Sequence, residues 1–91
     1  MMFPDYLDGA KVLEYTQHGS FAVTVAPWDN ENPRTEKEIC YVAICQYEGS
    51  DRFNVFWCDE DFRVLQDWLW DSIAECKQIH KETANVVWFK K

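Results

Sequence analysis

Glycine occupies only three of the 91 positions, and proline another three. So few glycines leave no loop that could cradle a phosphate. No G-x-S-x-G, P-loop or dinucleotide fingerprint is present. Basic side chains are also scarce, 9 against 16 acidic ones, for a formal net charge of −7. A nucleic-acid binder needs a basic face to displace counterions from phosphates, and an anionic membrane surface selects the same sign. Neither partner is expected. No stretch approaches the ~20 apolar residues of a membrane span. The start, MMFPDYLDGAK, has neither the basic nor the apolar region of an export signal. The four cysteines, Cys40, Cys45, Cys58 and Cys76, are 5, 13 and 18 positions apart. That spacing contains no C-x₂-C pair, so no zinc site and no cofactor is expected. Without an export signal, reduced thiols in a cytoplasmic protein are the expectation.

What the chain does have is apolar and aromatic mass: 47% hydrophobic residues, and 16% phenylalanine, tryptophan and tyrosine. A chain this short buries a smaller share of its surface than a large one, and large rings bring much apolar area per residue. One globular domain over residues 1–91 is expected.

Residues 11–17 (KVLEYTQ) alternate as a strand. His18, Gly19 and Ser20 supply a turn, and residues 21–26 (FAVTVA) alternate again, which predicts a hairpin. Residues 27–38 (PWDNENPRTEKE) read as a long polar loop. Residues 39–47 (ICYVAICQY) are apolar on both faces, as in a central strand or one backed by a partner. After a turn at 48–52, residues 53–58 (FNVFWC) form a fourth strand. Pairing across that turn sets Tyr47 opposite Phe53, Cys45 opposite Val55 and Ala43 opposite Trp57.

Asp59 is then a candidate N-cap, with Glu60 and Asp61 in the favoured first turn. At 100° per residue, Phe62, Leu65, Trp68, Leu69, Ser72, Ile73, Cys76 and Ile79 share one stripe, which predicts a long helix ending near Asn85. Residues 86–89 (VVWF) read as a fifth strand. The expected class is α+β: a mainly antiparallel sheet of four to five strands in β-β-β-β-α-β order, with one long helix packed on one face. A single helix leaves the other sheet face bare. Either the sheet curls over itself or that face meets another molecule, so a homodimer through the sheet is a candidate.

No catalytic pattern stands out. Cys76 and His80 lie four apart on the expected helix and could meet, as in thiol–imidazole catalysis or half of a metal site. Cys76 falls inside the apolar stripe, where a thiol packs as a small hydrophobe and lacks the electropositive setting of a nucleophile. The acids 59–61, and Asp5 with Asp8, have structural roles to play before any acid–base one. His18 reads as a surface residue.

The segment FWCDEDFRVLQDWLWD, residues 56–71, poses a sharper question, because one helix cannot bury all of Trp57, Trp68 and Trp70. Trp57 and Trp68 suit the core. Trp70 falls about 140° from Leu65 on a helical wheel, beside Arg63 and near Asp67 and Asp71. An exposed indole ringed by charge has the composition of a binding hot spot. The alternatives are a cation–π contact with Lys77 or Arg63, or cover from a chain terminus. Residues 59–75 hold six acids and one arginine, whereas residues 76–91 hold four lysines and one glutamate. Trp28 and Asp29 repeat the theme in the polar loop. The sequence therefore predicts a small acidic, non-catalytic protein-binding domain, of the inhibitor or immunity type, acting on a basic partner site through Trp70, Asp67, Asp71, Arg63, Trp28 and Asp29. Rival expectations are a small enzyme or ligand binder using Cys76 and His80, and a structural homo-oligomer.

Overall fold

The computed structural model of the chain describes residues 3–25 and 36–91. Among the described residues there are eight strands: β1 Tyr6–Leu7, β2 Ala10–Thr16, β3 Ala22–Val25, β4 Glu36–Ile39, β5 Tyr41–Gln46, β6 Phe53–Cys58, β7 Val64–Trp70 and β8 Trp88–Lys90. One short helix, α1 Ile73–Gln78, and a 3-10 turn, Lys81–Thr83, complete the described elements. The main sheet runs β1-β2-β5-β6-β7, with β8 joining β2 on the edge that β1 also uses. All its pairings are antiparallel. β3 and β4 form a separate two-stranded sheet.

This overturns the expected long helix on one sheet face: the architecture is a curled, half-barrel antiparallel sheet with a minor helical part. The reason lies between Asp59 and Trp70. The Asp59 side chain does bond backbone N–H groups, as an N-cap would. Its Oδ1 accepts from the amides of Asp61 and Arg63, both at 2.9 Å. Those bonds close a tight β6–β7 turn, with the Asp59 amide donating to the Arg63 carbonyl. Aspartate makes the same bonds in turns as at helix starts. Beyond the turn, β7 pairs with β6 from Phe53↔Trp70 to Cys58↔Val64. Gln66, Trp68 and Trp70 then share one face, and aromatic residues fit a pleated sheet. The helix starts later, at a cap the stripe concealed. The Ser72 hydroxyl accepts from the Glu75 amide at 3.1 Å, and the Glu75 carboxylate lies 3.3 Å from that hydroxyl. This is a serine N-cap in the S-x-x-E pattern, with the carboxylate meeting the serine hydroxyl rather than its amide.

Three further expectations are corrected. Residues 11–17 and the described part of 21–26 do not pair as a hairpin. β2 pairs with β5, β1 and β8, while the amides of Gly19 and Phe21 bond to the carbonyls of Cys40 and Ile39 and lead β3 toward β4. The last three residues of the supposed polar loop, 36–38, are strand, and β4 takes Ile39 with them, apart from β5. The β5–β6 register is one residue off the expected one: Ile44↔Val55, Ala43↔Phe56 and Val42↔Trp57. The connection at 47–52, with the Ser50 amide bonded to the Tyr47 carbonyl, sets that slip. One residue of slip exchanges which β5 residues share a face with Trp57. The C-terminal return to the sheet is found, beginning at Trp88.

The double-sided apolar character of residues 39–47 is explained by two cores. On one face, Val12, Tyr41, Ala43, Cys45, Phe56 and Cys58 meet Phe3 and Leu7 of the N-terminal arm. On the other, Val42, Ile44, Val55, Trp57 and Leu65 meet Ile39 and Cys76. Phe56, Ile44, Val42 and Val55 are essentially sealed, each contributing about 1.5–3 kcal/mol of burial. The face on which the homodimer expectation rested is thus covered within the chain by the arm and the curl of the sheet. Register shifts between Val12 and Glu14, and between Val64 and Gln66, supply curl by adding a residue to one strand. The β1–β2 turn is tight: Asp8 and Gly9 have φ of 50° and 85°, as a two-residue Asp-Gly hairpin loop requires.

Candidate functional site

A cleft walled by aromatic rings lies where the ends of β2, β5 and β8 meet the N-terminal arm and the β6–β7 turn. It is a cleft of about 350 Å³, walled by Phe3, Tyr15, Tyr41, Phe62 and Phe89, with Thr16, Gln17, His18 and Lys91 at its polar margin. Small-molecule sites occupy roughly 300–1,000 Å³, so this one suits a compact ligand. A larger hollow of about 480 Å³ over Asp8, Phe62, Arg63 and Val64 has only one ring among its walls.

Each ring reaches the cleft from a different element. Phe3 stacks on Tyr15 at 4.4 Å between centroids, and Tyr41 stacks on Phe62 at 4.6 Å. Phe3 meets Tyr41 and Phe62 edge-on, at 5.6 and 5.1 Å. His18 stands edge-on to Tyr41 at 5.3 Å. Phe62 is held with φ at +63°, a region that costs a non-glycine residue about 1–2 kcal/mol. The Asp59 bonds and the stacking on Tyr41 hold it there. The Tyr15 and Tyr41 hydroxyls carry no hydrogen bond among the described residues, although Tyr41 is 9% exposed. Lys91 Nζ lies 2.9 Å from Asp5 Oδ1, and the Lys91 amide bonds the Leu13 carbonyl, which pins this margin to β2.

A second constellation surrounds His80 on the opposite core. Trp57, Trp68 and Trp70 present rings 6.0, 4.7 and 5.8 Å from the imidazole. Trp70 Nε1 donates to His80 Nε2 at 2.9 Å. His80 is buried, and burial lowers its pKa from 6.5, with nearby Glu82 opposing. The buried Trp57 Nε1 finds no hydrogen-bond partner among the described residues.

Four of the six sequence-predicted binding residues, Arg63, Asp67, Trp70 and Asp71, lie among the described residues. Trp70 is on β7, half-buried against the second core and tied to His80. Because Val64–Trp70 is a strand, it is not an indole on a helix's wet flank. Asp71 is exposed and bonds Arg52 Nε at 2.9 Å. Asp67 is exposed on β7, and Arg63 is exposed in the β6–β7 turn. Trp28 and Asp29 lie outside the described residues. Lys77, a candidate cation for Trp70, instead sits 5.9 Å from the Trp88 ring and bonds Glu14 at 2.7 Å.

The Cys76–His80 pair is poorly set for nucleophilic chemistry. Cys76 is fully buried, and burial pushes its thiol up to about 11. The Nε2 atom that would take a proton already accepts one from Trp70. Among the described residues, no three of His, Cys, Asp or Glu gather as metal ligands, and no helix is long and apolar enough to cross a membrane. The cleft itself was missed. Its rings come from five separate places along the chain, and only the density of aromatics hinted at a site.

No protein family matches this chain, and no curated protein or solved structure is significantly similar to it.

Proposed function

We propose that this chain is a non-catalytic binding domain and that the aromatic cleft beside His18 is its binding site. The observation that carries this reading is the enclosure of one small concavity by five rings, two of them tyrosines with uncommitted hydroxyls. Apolar walls with a few convergent polar groups are the usual constitution of a ligand site. The strained Phe62 in its wall supports the same reading, since strain concentrates where a side chain must be aimed. The thiols, the best nucleophiles in the chain, are all buried, which favours binding over chemistry.

The test is an NMR titration with small aromatic probes, followed at the His18 and Tyr41 resonances. Saturable shifts at both, weakened severalfold in Phe89→Ala, are expected. Phe89 is 40% exposed, so its loss should spare the fold. Shifts confined to other surfaces would remove the reading.

A protein with a basic surface remains the second candidate partner, favoured by one observation. Glu38, Glu60 and Asp61 line one hollow together with Cys40, the buried Asp59 and Lys37. Such a patch would speed encounter with a cationic surface. Binding of this kind should weaken steeply with salt and fall in the Glu60→Lys, Asp61→Lys double variant. Indifference to both would dismiss it.

A further inference from the structure

Resting on the cleft reading, we propose that the ligand is a planar aromatic anion, with its ring among the stacked side chains and its carboxylate facing Lys91 and His18. The argument is one of charge. The protein carries −7 overall, yet no aspartate or glutamate is among the residues lining this cleft. Its ionisable nitrogens are those of Lys91 and His18, both at the margin. Asp5 takes one Lys91 hydrogen bond from outside, at 2.9 Å, and is itself 78% exposed. An ammonium has three donors, so two remain for a ligand while Asp5 fixes its position. The ring pairs Phe3–Tyr15 and Tyr41–Phe62 provide edges and faces for a flat guest. A volume of about 350 Å³ holds a one- or two-ring acid and little more. A cage built for an organic cation would also be ring-lined, but it would aim an unpaired acid at the guest, whereas the acid here, Asp5, is paired to Lys91.

Three probes with the same ring and different charge decide the matter: indole-3-acetate, indole-3-acetamide and tryptamine. Each is titrated by calorimetry, with NMR shifts at His18 and Tyr41 locating the site. Indole-3-acetate should bind at least about tenfold tighter than the amide, the scale of one charge-assisted hydrogen bond. Tryptamine should be the weakest. In Lys91→Gln, checked for unchanged thermal unfolding, the acid–amide difference should shrink below about threefold. Should acid and amide bind alike at the cleft, or tryptamine bind best, the anion preference is overturned while the cleft remains a binding site. Should none of the three move the His18 and Tyr41 resonances, both this inference and the cleft reading fall.

Discussion

Trp70 donates its indole N–H to His80 Nε2 across 2.9 Å, joining the last residue of β7 to the segment after α1. Accepting at Nε2 fixes the neutral imidazole with its proton on Nδ1, since a protonated ring has no acceptor. Burial already disfavours the charged form and holds the pKa below 6.5; Glu82 only partly opposes it. The unfolded chain therefore binds a proton here at a higher pH than the folded chain does. The stabilisation is complete above about pH 6.5 and is lost as the pH falls through that value toward the lower folded pKa. Thermal melts between pH 7.5 and 5.5 should show a falling midpoint, with a smaller slope in His80→Gln. Equal slopes in the two proteins would show that His80 stays neutral without cost.

The same bond sets the consequence of changing the indole. Trp70→Phe keeps most of the ring but leaves a buried acceptor unpaired, which costs about 1–3 kcal/mol. Trp70→Ala should cost more, because packing against the second core goes as well. Urea denaturation measures both. A Trp70→Ala protein as stable as the wild type would restore the indole to the exposed surface role that the composition of residues 56–71 suggests.

Asp59 is the hinge of the cleft wall. It is 5% exposed, and one of its oxygens holds two backbone amides, of Asp61 and Arg63. Asp59→Ala should lose about 2 kcal/mol, whereas Asp59→Asn, which keeps an acceptor oxygen, should lose about half that or less. Phe62 depends on this turn for its left-handed backbone. Binding of aromatic probes should therefore fall in Asp59→Ala even at temperatures where the fold is intact. A variant with lowered stability but unchanged probe affinity would separate the turn from the cleft.

Glu14 is buried, with Lys77 as its partner at 2.7 Å, linking β2 to α1. Lys77 is about a third exposed at its side chain, so solvent screens part of the attraction. Lys77→Met strands a buried carboxylate and should cost about 2 kcal/mol, below the range of about 3–5 kcal/mol for fully sealed pairs. Glu14→Gln combined with Lys77→Met should recover much of that loss. A double-mutant cycle gives the coupling directly, and a coupling near zero would make the pair a surface ornament.

How far the chain could be read in advance follows from which residues carry a repeating signal. β6 is bounded as the alternation of residues 53–58 implies, and the apolar run before it does have a core on each face. Residues 64–70 were illegible for two physical reasons. The added residue at Leu65 breaks the period of two, sending Leu65 into the same core as Trp68. Gln66, which bonds the Thr24 hydroxyl at 2.8 Å, hides the face it shares with Trp68 and Trp70. Leu65, Trp68 and Leu69 meanwhile satisfy a helical stripe equally well, and Asp59 caps a turn with the same bonds as a helix. The S-x-x-E pattern of Ser72 to Glu75 was the one local sign that a helix begins there. The cleft left no local sign at all, because Phe3, Tyr15, Tyr41, Phe62 and Phe89 are brought together only by the strand order.

The thiols offer the sharpest test of a binding domain against an enzyme. Burial pushes Cys58 up to about 12 and Cys76 to about 11, and raises Cys45 further still. Cys40 is raised as well, first by burial and then by Glu38, Glu60 and Asp59. Only the thiolate attacks a disulfide reagent, so at pH 8 the native protein should react through transient opening alone. Labelling should be at least about 100-fold slower than in urea, with Cys40 first, being 4% exposed where the other three are sealed. Rapid reaction of Cys76 in the native state would mean that α1 opens readily from the second core, and a thiol–imidazole reading of this chain would then outrank the cleft.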